Sequence, residues 1–159
     1  MRYLYLILPA LFAVNTLQAQ SETAGVKQTI DKMFTAMHNS DSVALRECFS
    51  PTAVFQTIEE LKGSTTVKNV SVERFASVIA GTPKGDLDER ITYGPIQIDD
   101  HLASVWTPYR FYHQGKFHHC GVNSFQLVKL GKEWKIQYVI DTRRKEKCVE
   151  DNTTATPAQ

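Results

Sequence analysis

The chain has 159 residues, 42% hydrophobic, 10% aromatic and 22% charged, with 18 Lys and Arg against 17 Asp and Glu. That balance belongs to one ordinary globular domain. It excludes a disordered chain, a collagen-like repeat, a multi-domain enzyme and a basic protein built to neutralise nucleic-acid phosphates.

The first residues, MRYLYLILPALFAVNTLQAQ, carry Arg2, an uncharged run from Tyr3 to Val14, and Leu17-Gln18-Ala19 ending in a small residue. This order predicts a secretory signal peptide over residues 1–19, cleaved after Ala19. The apolar run is about a dozen residues, short of the ~20 that span a bilayer, and Pro9 interrupts it. A secreted or periplasmic protein is therefore expected, with no membrane attachment after cleavage. Losing Arg2 leaves a formally neutral chain, which steers neither polyanions nor anionic lipid. No nucleic-acid partner is expected. Export places Cys48, Cys120 and Cys148 in an oxidising compartment, where one disulfide can form and one thiol is left over. The spacing does not choose the pair.

Residues 20–148 read as a single domain. Val26, Ile30, Met33, Phe34 and Met37 recur at helical spacing on one face. Ser21 or Thr23 is placed to cap this helix, and His38-Asn39-Ser40 ends it. Asp41 reads as the N-cap of a short helix carrying Ala44, Leu45, Cys48 and Phe49, stopped by Pro51. A brief strand, residues 53–57, follows, and Gly63-Ser64-Thr65-Thr66 reads as loop. A third helix starts near Ser71 and buries Val72, Phe75, Ala76 and Ile79. Gly81, taking the left-handed conformation, and Pro83 stop it.

The period then changes to two. Residues 87–99 hold Leu87, Ile91, Tyr93, Ile96 and Ile98, with Gly94-Pro95 as a bulge or bend. Strands over 102–112, 117–130 and 134–142 follow, joined by short turns as a meander. The basic run Arg143-Arg144-Lys145 with Lys147 reads as a solvated strand end. Residues 149–159 read as a disordered tail. Three helices on a strongly curved, mostly antiparallel sheet give an α+β fold, a cone whose open end is a natural pocket.

Three segments carry a family resemblance: Asp41 in HNSDSVALRECFSPTAVF, then ASVWTPYRFYHQGKFHHCGVNSFQLVK, then Trp134-Lys135-Ile136 running to Asp141-Thr142-Arg143. They resemble the nuclear transport factor 2-like superfamily, the cystatin-like α+β cone. Within it they are most similar to exported proteins labelled lumazine-binding or SnoaL-like. The resemblance implies the cone fold. That superfamily hosts isomerases, dehydratases, polyketide cyclases and protein-binding modules, so the fold does not fix the function.

Candidate site residues follow from strand alternation. His119, Asn123 and Phe125 share one face of their strand, while His118, Cys120 and Ser124 share the other. Apolar walls with a few placed polar groups make a small-molecule site. Trp106, Tyr109, His119, Asn123 and Tyr138 are the expected ligand-binding residues. Trp106 and Tyr109, three apart, face opposite ways unless Pro108 bends the strand. His119 and Asp141 are the candidates for acid–base chemistry. Asp141 is the one acidic residue expected near the core of the last three strands, which lowers the enzyme reading. His113, His118, His119 and Cys120 lie close in sequence. Consecutive strand residues point apart, however, and zinc needs three or four convergent ligands, so neither metal nor cofactor is expected. The leading expectation is an exported domain binding a small apolar or aromatic molecule. The alternatives are an isomerase-, dehydratase- or cyclase-type enzyme in the same pocket, or a homodimeric interaction module.

Overall fold

The computed structural model describes residues 8–61 and 63–149, with side chains from Gln20 onward except that of Leu61. The expected leader lies partly outside the described residues, and the expected tail lies outside them apart from Val149. The elements run α1 (Leu8–His38), α2 (Ser42–Glu47), β1 (Phe49–Leu61), β2 (Ser64–Val70), α3 (Val72–Ala80), β3 (Leu87–Ile91), β4 (Ile96–Asp99), β5 (Leu102–His113), β6 (Lys116–Leu130) and β7 (Glu133–Thr142).

The apolar stripe Val26, Ile30, Met33, Phe34 and Met37 is buried along α1. The helix runs through Ser21 and Thr23, so neither caps it. Asp41 caps α2, its carboxylate accepting hydrogen bonds from the Val43 and Ala44 amides. The helix stops at Glu47, four residues before Pro51, because Phe49 already pairs with β7. Ser71 caps α3 by accepting from the Arg74 amide. Gly81 ends α3 at φ −88°, in the right-handed region, so its left-handed freedom goes unused.

The sheet has the order β2-β1-β7-β6-β5-β3, with β4 also paired to β5. All its neighbours are antiparallel except β1 and β7. The expected brief strand is thirteen residues long, and the expected loop at 63–66 opens a second strand. Gly63 makes the turn at φ +78°. Residues 64–69 of β2 are exposed, so no alternation marked that strand in the sequence. The expected bend at Gly94-Pro95 is the break between β3 and β4.

The helices cover the concave face of the sheet, which is curved and unclosed. Trp134 anchors α1: its Nε1–H donates to Glu22 Oε2 at 3.0 Å, and Thr29 Oγ1 donates to its carbonyl at 2.9 Å. Cys120 and Cys148 form the disulfide, leaving Cys48 free and buried. Burial pushes the Cys48 thiol up to about 11, so it packs as an unreactive apolar group. No helix among the described residues is long and apolar enough to cross a membrane.

Candidate functional site

Between α1, α3 and the concave sheet lies a cavity of about 250 Å³. Its walls are apolar: Met33, Phe34 and Met37 from α1, Phe75, Val78 and Ile79 from α3, Phe49 and Phe55 from β1, Leu87 from β3, Phe111 from β5, Phe125 from β6 and Val139 from β7. Phe55 meets Phe75 edge-on at 5.3 Å, and Phe34 meets Phe125 edge-on at 6.2 Å. The polar lining is Glu89, His119, Asn123, Asp141 and Arg143, all contributed by the sheet or by the residue after its last strand.

Strand parity explains most of this set. Along β5, Ala103, Val105, Thr107 and Tyr109 are buried, while Trp106 is half exposed on the opposite face. Trp106 therefore lies outside the cavity, against Pro95, Ser104 and Ser124. Tyr109 points inward but sits behind the lining. Its hydroxyl donates to the Thr142 carbonyl at 2.9 Å, and its ring stands edge-on to His119 at 5.5 Å. Burial, then the Glu89 and Asp141 carboxyls, raises its pKa.

Two irregularities reassign residues that simple alternation misplaces. In β7, Gln126 pairs with Tyr138 but Leu127 with Ile136, so Gln137 is an extra residue. That bulge flips the parity of the strand. Trp134 and Ile136 are buried before it, and Val139 and Asp141 after it. Tyr138 is turned away from the cavity, and its hydroxyl donates to Gln56 at 2.7 Å. In β6, Phe111 pairs with His119 but Tyr112 with Phe117, leaving His118 as the extra residue. The two adjacent histidines, expected to point apart, bring their Nδ1 atoms to 2.8 Å. His118 stays exposed, while His119 lines the cavity against Phe111 at 5.0 Å. Among the described residues no three His, Cys, Asp or Glu side chains converge as a metal site.

Of the five expected ligand-binding residues, the cavity brings together His119 and Asn123, with Tyr109 behind them. Trp106 and Tyr138 lie elsewhere. Asp141, expected as a candidate base, lines the cavity and is 5% exposed.

Glu89 is the residue that sequence reasoning missed. Glu89 accepts a 2.8 Å hydrogen bond from Asn123 Nδ2. Burial raises its pKa to about 7, the neighbouring Asp141 adding to the effect against the Asn123 hydrogen bond. Its position was legible, since Leu87, Glu89 and Ile91 share one parity. Arg143, two residues from Asp141 on the same face, pairs with it: its Nε donates to Asp141 Oδ2 at 2.9 Å at the cavity, while its side chain stays 44% exposed. Asp141 Oδ1 is buried without a partner. Burial, then Arg143 and His118, pushes the His119 pKa down to about 4, so this imidazole is neutral at physiological pH.

No protein-family model matches the chain, and no curated protein matches it. Solved structures match its fold. One is a nuclear transport factor 2-like protein of unknown function from Shewanella baltica, with TM-score 0.62 and 16% identity, over 79% of this chain and 96% of that one. A second, from Silicibacter pomeroyi, has TM-score 0.65 and 13% identity, over 79% and 98%. A third is a cystatin-like-fold domain of unknown function from Nostoc punctiforme, with TM-score 0.63 and 16% identity, over 80% of each chain. The chain thus has the nuclear transport factor 2-like, cystatin-like α+β fold. At these identities the likeness carries the fold alone.

Proposed function

We propose that this cone binds a small, largely apolar or aromatic molecule whose one polar group is read at the sheet end of the cavity. The observation that carries this reading is the segregation of the lining. Apolar side chains from α1, α3 and the sheet surround a single polar cluster of Glu89, Asn123, Asp141, His119 and Arg143. That is the make-up of small-molecule sites generally. An apolar cavity of about 150 Å³ holds a benzene ring. The 250 Å³ here suits one ring or two fused rings, a lumazine-like bicycle included.

The test is thermal melting of the purified protein against flavin-like, pterin-like and steroid-like compounds. A binder raises the melting temperature with the logarithm of its excess over Kd. If no compound shifts the melt, the reading fails.

A second reading, an isomerase-, dehydratase- or cyclase-type enzyme, is favoured by one observation. Glu89, with its pKa raised to about 7, lines the same cavity as Asp141, whose charge adds to that rise. A carboxyl poised near neutrality can both give and take a proton. Turnover that Glu89→Gln abolishes while ligand affinity persists would support catalysis.

We propose further that the protein works outside the cytoplasm. The Cys120–Cys148 bridge supports this, because disulfides persist in oxidising compartments. Mass spectrometry of the exported protein should find Gln20 at its N-terminus. Retention of residues 1–19 would contradict it.

A further inference from the structure

We propose that the polar end of the cavity recognises an organic ammonium group, so that the ligand is a small aromatic or alicyclic amine. This deepens the binding reading above and rests on it.

The charges around the cavity do not balance. Glu89 and Asp141 contribute two carboxyls, and Arg143 the one guanidinium. That guanidinium is engaged by Asp141 through Nε at 2.9 Å. Glu89 keeps one polar partner, the neutral Asn123 amide. His119 adds no positive charge at neutral pH.

Glu89 is partly buried, and a carboxyl drawn from water without a paired cation is costly, so it either keeps its proton or acquires a cationic partner. No cation hydrogen-bonds Glu89: Arg143 acts on it only at longer range while paired with Asp141, and α1 and α3 contribute only apolar side chains to the lining. A ligand ammonium would satisfy Glu89 directly. Phe111 is the cross-strand neighbour of Glu89, and Phe125 lies further along the same face. Aromatic faces attract a desolvated cation as well as the ring that carries it. A carboxylate ligand would meet two like charges.

The groups facing Glu89 are Tyr109 from β5, Asn123 and His119 from β6, Asp141 from β7 and Arg143 just after it. Of these, Glu89 itself changes charge near pH 7. Amine binding below neutrality should therefore release its proton.

The experiment compares 2-phenylethylamine with 2-phenylethanol, which share one carbon skeleton, by calorimetry on the purified protein. Titrations run at pH 5, 6, 7 and 8 in two buffers of different ionisation enthalpy, with wild type and Glu89→Gln. The variant keeps an acceptor for Asn123, so folding should be retained, and melting curves check this. At pH 8 the amine is expected to bind about tenfold more tightly than the alcohol, the scale of one charge-assisted hydrogen bond. Its affinity should fall about tenfold per unit well below pH 7, with a proton released. Glu89→Gln should erase both the preference and the pH dependence. Equal binding of the two probes, or a preference that survives in Glu89→Gln, overturns the amine assignment while leaving the cavity reading standing. If neither probe binds, the assignment falls, and the library melt decides the cavity separately.

Discussion

Glu89 and His119 line one cavity from β3 and β6, and burial there drives both towards neutrality from opposite sides. The carboxyl rises to about 7, and the imidazole falls to about 4. Between about pH 4.5 and 7 the folded state holds a Glu89 proton that the unfolded chain has lost. That contribution to stability is full at low pH and fades as pH rises. Between about pH 6.5 and 4 the unfolded chain takes up a His119 proton that the folded state refuses. That contribution is full above 6.5 and fades as pH falls. The two slopes oppose each other over nearly the same window. Wild-type stability should therefore be nearly flat from pH 4.5 to 6.5. Denaturant melts of Glu89→Gln should show stability rising with pH, and His119→Gln stability falling. Parallel slopes in the two variants would contradict the arrangement.

The Cys120–Cys148 disulfide pins the segment after β7 beside the cavity. The Cys120 and Arg144 backbones exchange hydrogen bonds at 2.9 Å, next to His119 on one side and Arg143 on the other. Closing a loop with sequence separation 28 is worth about 3–4 kcal/mol on the chain-entropy scale. Cys148→Ser should lower the melting temperature by roughly 10–15 °C. Because it frees the Arg143 segment, it should also weaken ligand binding. An unchanged melt would contradict the bridge.

Gly121 marks the closest approach in the sheet end of the cone. A Cβ there would lie 1.7 Å from the Thr142 carbonyl oxygen and 2.9 Å from the Tyr109 ring. Gly121→Ala must force β6 and β7 apart and break the Tyr109–Thr142 hydrogen bond. A loss of more than about 3 kcal/mol is expected in chemical denaturation, beyond the ordinary range of point substitutions. Near-wild-type stability would show that the strands do not meet there.

Trp106 and Tyr138 provide a control for the cavity's location. Both lie outside it, so Trp106→Ala and Tyr138→Phe should leave ligand affinity within about twofold of wild type, under 1 kcal/mol. Val139→Phe, which adds volume inside, should abolish binding at a stability cost of about 1–3 kcal/mol. Loss of binding in the first two variants would move the site to the outer face.

Much of the fold was legible because long-range packing and local pattern agree. The α1 stripe, the Asp41 and Ser71 caps and the strands of the meander each follow from spacing. The hairpin at β2 was not legible, because an exposed edge strand has no buried face to impose alternation. Of the site, His119, Asn123 and Asp141 were legible in the sequence. Gln137 and His118 are inserted residues that no composition rule signals, and one of them decides that Asp141 faces in and Tyr138 out. Glu89 was visible as a charge at an apolar parity, between Leu87 and Ile91. Arg143 was legible through its two-residue spacing from Asp141, although the rest of its basic run takes no part in the lining.

The most direct test of a ligand cavity uses two methionines in its wall. Met33 and Met37 lie on α1 facing the polar cluster across the cavity. With methyl-labelled protein, titrating the strongest binder from the melting library should shift both methyl resonances saturably. Aromatic ring currents should move them, and Val139→Phe should abolish the response. Binding that leaves both methyls unmoved while perturbing Trp106 would contradict the account.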